Sequence, residues 1–334
     1  MVVLRPTDDG EILVSVICIT YNQEKYLPQT LKGFADQRTD FPFEVIIHDD
    51  ASTDSTPEIV RQFYQEHSGN TLAVLQSENQ YSKGNSQMPF LLSQCRGKYV
   101  CFCEGDDFWS DPRKIQRQAS AMKANENCTA CYGKVLIVDE KGESLGKYLP
   151  RNNKLKQGVI SRKETLSNLV FTRCTGYQQF QFSGLMARTD LTREYFCNRP
   201  EYSRKASVGD LPLFLYLADK GDAFYMDRVM SCYRRNAVGS WNSKNSNPEQ
   251  KIAHLKAEIA LLEAFDAYSH RDAHADIQLG IRLHGLEIKR TQKKLVNLFS
   301  RKYFKVFWKL NMKSKIHIIL LTYFPKLCER LHIR

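Results

Sequence analysis

Two short acidic runs hold the residues best suited to chemistry in this chain. They are Asp49-Asp50, inside His48-Asp49-Asp50-Ala51-Ser52-Thr53-Asp54, and Glu104-Gly105-Asp106-Asp107. In the second run three carboxylates fall within four residues, and they repel one another unless a cation or solvent offsets them. The glycine lets the backbone turn tightly, so that neighbouring carboxylates can face one ion. Hard divalent cations take oxygen ligands, and Mg²⁺ or Mn²⁺ commonly uses one or two carboxylates together with substrate phosphates. Taken alone, Asp49-Asp50 is equally well read as a turn, because Asp and Ser favour such positions.

The elements that must carry these runs alternate between strand and helix over the first ~140 residues. Val14 to Thr20 (VSVICIT) is a nearly continuous apolar run, as expected of a strand buried on both faces. A helix follows, with Leu27, Leu31 and Phe34 on one face and Pro28 in its first turn. Phe43 to Ile47 is a second strand that runs into Asp49-Asp50, and Thr56-Pro57 opens the next helix. Thr71 to Leu75 reads as a third strand, Met88 to Cys95 as a third helix, and Tyr99 to Cys103 as a fourth strand ending in the Glu104 run. This order predicts a mostly parallel α/β sheet flanked by helices, with ligands beyond the carboxyl ends of its strands. Both acidic runs and Thr20-Tyr21-Asn22 converge on that edge. Past Pro150 the pattern loosens: Phe182 to Ala187 reads as a strand, Leu211 to Asp219 as a helix, and Leu255 to Leu283 has mostly helical spacing.

With 334 residues, 42% hydrophobic and 25% charged, the chain has the composition of a globular protein about two domains long. The longest apolar run, Leu213 to Ala218, falls short of the ~20 residues of a membrane-spanning helix. No secretory h-region stands in the first residues, so a cytoplasmic chain with reduced cysteines is expected. Cys128 and Cys131 form one CxxC, read as core rather than as a zinc site because no second pair stands at finger spacing. Of the net charge of +11, residues 291–334 carry +10: eight Lys and three Arg against Glu329. A nearly neutral body argues against a nucleic-acid surface there and for a special partner at the C-terminus.

Val14-Ser15-Val16-Ile17 leading to Thr20-Tyr21-Asn22, then Asp49 to Asp54, then Glu104-Gly105-Asp106-Asp107-Phe108-Trp109 together resemble the family 2 glycosyltransferases with the GT-A fold. The resemblance covers about residues 12–245, divided into a nucleotide-binding half (about 12–140) and an acceptor half (about 141–245), with 246–334 a helical, basic C-terminal extension. It implies that Thr20, Tyr21 and Asn22 line a nucleotide pocket and that Asp50, with Asp49 beside it, accepts a hydrogen bond from the base, most naturally the N3–H of uracil. Asp106 and Asp107 would hold Mn²⁺ or Mg²⁺ on the donor diphosphate, while Glu104 stands where the family has its first Asp. Asn79, Lys83, Gly84 and Asn85 resemble the segment beneath the donor. The family's catalytic base would be Asp210, in Val208-Gly209-Asp210-Leu211, where glycine replaces the usual Glu. Asp210 equally suits a helix N-cap.

The expected reaction is therefore an inverting transfer of a sugar from a nucleotide sugar, most naturally a UDP-sugar, to a hydroxyl of a lipid-linked or polysaccharide acceptor. Trp109 reads either as a platform for the acceptor sugar or as packing. Arg234 and Arg235, with Gly239-Ser240-Trp241, read as a loop that clamps the diphosphate or as a solvated basic loop. The alternatives are a non-catalytic nucleotide-sugar-binding or membrane-docking homologue, for which Gly209 is the hint, and a nucleotidyltransferase, whose glycine-rich phosphate loop is missing after the first strand. In the tail, Leu295, Leu298, Phe299, Tyr303, Val306, Phe307 and Leu310 recur at helical spacing, with Lys294, Arg301, Lys302, Lys305 and Lys309 mostly opposite. This predicts an interfacial amphipathic helix on an anionic membrane, at the inner face of the cell membrane, or else a helix packed on the body.

Overall fold

The computed structural model describes residues 1–8, 10–150, 155–174, 180–235, 237, 247–292, 303–304, 307–308 and 312–324. They fall into two compact units. The first comprises Met1–Thr165, Gln178–Arg199 and Tyr216–Ser240, and the second comprises Leu166–Tyr177, Pro200–Leu215 and Trp241–Arg334. Residues 166–177 and 200–215 thus group with residues 241–334.

The first unit is built on one mixed sheet. Its centre is four parallel strands: β2 (Val14–Thr20), β3 (Phe43–Asp49), β4 (Thr71–Leu75) and β5 (Tyr99–Glu104), preceded in the chain by the edge strand β1 (Val2–Leu4). β2 pairs in parallel with both β3 and β5, and β3 with β4, giving the spatial order β4-β3-β2-β5. The chain moves outward from β2 through β3 to β4 and then returns to β2's other side as β5. That reversal makes the β2/β5 boundary a topological switch point, where crossover loops part and leave a crevice at the strands' carboxyl ends. Val16, Ile17, Ile46, Ile47 and Val100 are almost wholly buried, each contributing roughly 1.5–3 kcal/mol of transfer free energy.

Helices α1 (Leu27–Ala35), α2 (Thr56–Glu66), α3 (Met88–Gln94) and α4 (Lys114–Ala124) connect or follow these strands. At nine residues α1 is too short to be stable alone, so its helicity depends on burying Leu27, Leu31 and Phe34 against the sheet. Beyond β5 the sheet continues through strands of mixed direction: β6 (Phe108–Trp109), β7 (Cys128–Val138), β8 (Ser144–Leu149), β9 (Gly158–Ile160), β10 (Leu185–Arg188) and β11 (Asp222–Arg234). β10 is antiparallel to β5 and β7, β11 runs parallel to β7, and β6 pairs antiparallel with β11. The expected strand at 182–187 is a short 3-10 turn, Phe182–Gly184, followed by β10. Cys128 and Cys131 lie buried in β7 as free thiols, as the core reading of that CxxC expects.

Further helices are α5 (Arg162–Cys174), α6 (Thr189–Cys197), α7 (Asp210–Lys220), α8 (Pro248–Tyr268), α9 (His274–Thr291) and α10 (Met312–Tyr323). In the second unit α8 packs on α9, with Leu261, Leu262 and Phe265 of the first and Ile277, Leu283 and Leu286 of the second buried. The expected helical stretch 255–283 is therefore two helices, broken where His270 and Arg271 adopt positive φ. Among the described residues no helix is long and apolar enough to cross a membrane.

Candidate active site

Three strand ends and one loop meet at the switch point of the first unit. At the end of β2, Thr20 is buried and its hydroxyl donates to Gln23 Oε1 at 2.9 Å, while Tyr21 keeps 46% of its surface exposed. Asn22 takes a left-handed conformation (φ 51°), which Asn tolerates better than most side chains. Its Oδ1 accepts the Thr53 N–H at 2.8 Å and its own N–H donates to Ser52 Oγ at 2.8 Å, tying the β2 loop to the β3 loop.

At the end of β3, the buried Asp49 carboxylate accepts both the hydroxyl and the N–H of Ser52. Burial pushes its carboxyl above the usual range, against the opposing effect of the Ser52 hydrogen bonds. Asp50 is buried too. Its Oδ1 accepts the Gln80 N–H at 2.8 Å and its Oδ2 the Tyr81 N–H at 2.9 Å, and Asn79 Nδ2 donates to its carbonyl at 3.2 Å. Asp50 thus folds the 79–84 segment onto the strand end, a task the sequence reading did not anticipate, and each oxygen keeps a second lone pair for a ligand. Lys83 sits exposed in that segment, ion-paired with Glu78.

The acidic loop after β5 is held from both sides. Gly105 does not need a positive φ; it needs space. A Cβ there would lie 2.7 Å from Thr20 Oγ1 and 2.3 Å from Gln23 Oε1. The Gly105 N–H donates to Ile19 O at 3.0 Å, and the Thr30 hydroxyl of α1 donates to Gly105 O at 2.9 Å. Glu104 is exposed and Asp106 partly exposed, whereas Asp107 is 1% exposed. Asp107 Oδ1 accepts the Arg234 N–H at 3.0 Å, while Oδ2 makes no hydrogen bond of ordinary geometry among the described residues, the nearby Ser183 hydroxyl only partly offsetting the cost of burial. Burial, then the charges of Asp106 and Glu104, hold the Asp107 carboxyl well above the usual carboxylate range, and burial raises Asp106 as well.

Crowded carboxylates with a poorly satisfied buried oxygen are what a hard cation relieves, so Asp106 and Asp107 fit Mn²⁺ or Mg²⁺. Among the described residues no three His, Cys, Asp or Glu side chains could hold a metal by themselves. Further ligands would have to come from elsewhere, as phosphate oxygens do for Mg²⁺.

Two expectations are corrected here. Trp109 is not an exposed platform: it is 4% exposed, edge-on to Phe34 at 4.8 Å, with the buried Lys114 ammonium 4.3 Å from its ring centroid. Arg234 is not part of a mobile clamp either, being 3% exposed among backbone carbonyls. Arg235 is exposed, its N–H donating to Val138 O at 2.9 Å, while Gly239, Ser240 and Trp241 lie outside the described residues.

Asp210 belongs to the second unit, where it opens α7 and its Oδ1 accepts the neighbouring Leu211 N–H at 2.8 Å. Just upstream, Ser207 Oγ lies 2.5 Å from His254 Nδ1. The same imidazole lies 3.4 Å from the buried Glu258, whose other oxygen is 2.7 Å from His284.

The Glycosyl transferase family 2 profile matches residues 15–185. An uncharacterised protein of Mycobacterium bovis is 32% identical over 239 residues, covering 69% of this chain, and the chain spans 61% of that relative's length. Among solved structures, TarS 1–349 of Staphylococcus aureus in complex with UDP-GlcNAc superposes with a TM-score of 0.58 at 18% identity, over 93% of this chain and 79% of that one. The mannosyltransferase PcManGT of Pyrobaculum calidifontis, in complex with GDP-Man and Mn²⁺, gives a TM-score of 0.50 at 16% identity, over 99% and 90%. At these identities the superpositions speak to the fold alone, and that fold is GT-A.

Proposed function

The chain belongs to glycosyl transferase family 2, and on that premise we propose that it is a metal-dependent inverting transferase moving a sugar from a UDP-sugar to a hydroxyl of a polysaccharide or lipid-linked acceptor. The observation that carries this reading is the convergence of Thr20-Tyr21-Asn22, Asp49-Asp50 and Glu104 to Asp107 on the β2/β5 switch point. Asp106 and Asp107 would hold Mn²⁺ or Mg²⁺, which when bound stabilises the charge that grows on the departing diphosphate. Tyr21 offers an exposed ring for the base, Asp50 a free lone pair for a base N–H, and Lys83 and Arg235 positive charge for the phosphates. TarS, whose solved complex contains UDP-GlcNAc, supports the choice of a uridine donor.

Asp210 takes the proton from the acceptor hydroxyl as its oxygen attacks the anomeric carbon from the face opposite the diphosphate. The bond from the anomeric carbon to the phosphate oxygen breaks, its electrons leave with the diphosphate, and configuration inverts in one displacement. Incubating the full chain with UDP-sugars and candidate acceptors tests this directly: a glycosylated product and free UDP support it. A second reading, a homologue that binds nucleotide sugars without turnover, draws on Gly209 and on the Asp210 carboxylate being engaged by the Leu211 N–H.

An anionic membrane is the partner that the tail favours. Tyr303 and Phe307 are buried in the second unit, whereas Phe304, Trp308, Met312 and Ile316, spaced four apart, are each about half exposed or more. Lys315 Nζ lies 5.0 Å from the Trp308 ring centroid, so charge and aromatic surface share one patch. The remaining tail residues cited from the sequence lie outside the described residues. Aromatic rings with flanking Lys suit the headgroup region, and a peripheral site on the inner membrane face would bring the enzyme to a lipid-linked acceptor.

A further inference from the structure

β6 follows the acidic loop at once and pairs antiparallel with β11, Trp109 opposite Ser231 and Phe108 opposite Cys232. Continuing that register by two places sets Arg234 opposite Asp106. There the Arg234 N–H donates to Asp107 Oδ1 at 3.0 Å and Nε donates to the Asp106 carbonyl at 2.8 Å. The other two arms of the guanidinium reach away from the loop. Nη1 donates to Glu140 O at 2.8 Å, in the β7–β8 turn, and Nη2 to Gln29 Oε1 at 2.8 Å, on α1. Its face lies 4.7 Å from the Tyr26 ring centroid and 5.4 Å from that of Phe108.

A buried guanidinium must have its donors satisfied, and here oxygens from three separate segments satisfy them. The guanidinium's side-chain partner is the neutral Gln29, so among the described residues its positive charge is not consumed by an ion pair. It faces the acidic loop instead, with Nε on the Asp106 carbonyl and the backbone N–H on Asp107 Oδ1. Lysine could supply the charge but not the planar fork that spans three directions.

We propose that Arg234 is the positioning residue that fixes the Glu104–Asp107 loop against α1 and the β7–β8 turn, so that Asp106 and Asp107 are preset for a divalent cation and the diphosphate it binds. This rests on the metal-dependent donor site proposed above. Arg234 touches neither reacting atoms nor cation; it acts through the loop's backbone and one Asp107 oxygen.

The test is calorimetric titration of UDP into the full chain with and without Mn²⁺, alongside melting temperatures, for wild type, Arg234→Lys and Gln29→Ala. Metal-free UDP affinity should stay within about twofold in both variants, because the base-side contacts of Thr20, Tyr21 and Asp50 are untouched. The gain in affinity that Mn²⁺ confers should fall by about tenfold in Arg234→Lys, and by a smaller factor in Gln29→Ala, which removes one arm at an exposed residue. Full retention of the Mn²⁺ gain in Arg234→Lys overturns the proposal. So does a parallel loss of metal-free and metal-dependent binding that tracks the melting temperature, the signature of a merely structural arginine. If Arg234→Lys does not fold, an undiminished Mn²⁺ gain in Gln29→Ala overturns it equally. A wild-type chain that binds UDP with no Mn²⁺ gain contradicts the metal reading itself, and this inference with it.

Discussion

Gly105 and Thr20 stand so close that a single added carbon would join them: a Cβ on Gly105 would lie 2.7 Å from the Thr20 hydroxyl and 2.9 Å from its Cβ. The loop proposed for the metal and the loop proposed for the nucleotide therefore pack against each other with no room for a side chain between them. Gly105→Ala should force them apart at a cost of about 1–3 kcal/mol, the usual range for overpacking. A lowered melting temperature and weakened nucleotide binding are expected together. Unchanged binding in a destabilised variant would show the two loops to be independent.

Asp107 is held in an environment that disfavours its charge. Asp107→Asn removes that charge, while the amide oxygen can still accept the Arg234 N–H. The metal-free variant should therefore melt higher than wild type at neutral pH, since burial and the charges of Asp106 and Glu104 no longer penalise an ionised group. It should also lose most of its response to Mn²⁺. Melting curves in chelator and in Mn²⁺ read both effects, and a variant that keeps the wild-type Mn²⁺ shift would remove Asp107 from the metal site.

Asp210 is expected to separate turnover from binding. Replacing it with Asn keeps an oxygen for the Leu211 N–H and so preserves the start of α7. As the base, its loss should lower kcat by about 10²–10⁴-fold with little change in donor affinity. A rate unchanged by Asp210→Asn would rule this carboxylate out as base.

For the tail, sedimentation with vesicles is decisive. The full chain should bind vesicles rich in phosphatidylglycerol and not neutral phosphatidylcholine, and binding should weaken with salt. Trp308→Ala combined with Lys315→Glu should reduce it by several-fold or more, the charge reversal alone being worth on the order of 1 kcal/mol per residue. No binding to either vesicle type would point to packing rather than lipid.

The parallel core and its loops were legible because their signals are local. β4 has the bounds its apolar run predicts, and Asp49 and Glu104 end their strands, with Asp50 and Gly105 to Asp107 directly after them in sequence. The rest depends on contacts distant in sequence. Arg234 looks like a solvated basic residue until its partners Gln29 and Asp106, 205 and 128 positions away, are folded around it. Trp109 looks like a platform until Phe34 and Lys114 enclose it. β11 hides its period because its register shifts between Met226 and Val229, placing Asp227 and Arg228 at an irregularity. One signal was available for Gly105: a glycine between carboxylates at a strand end marks a close backbone approach as readily as a turn.

If the proposed function is right, a nucleoside diphosphate and a divalent cation bind together at the β2/β5 edge. Melting temperatures of the full chain with UDP, GDP, TDP and CMP, each with and without Mn²⁺, test it most directly, because a ligand that binds only the folded state must raise them. A clear rise with UDP in the presence of Mn²⁺ is expected, and a much smaller one with either alone. No rise with any nucleotide, with or without the metal, would contradict it.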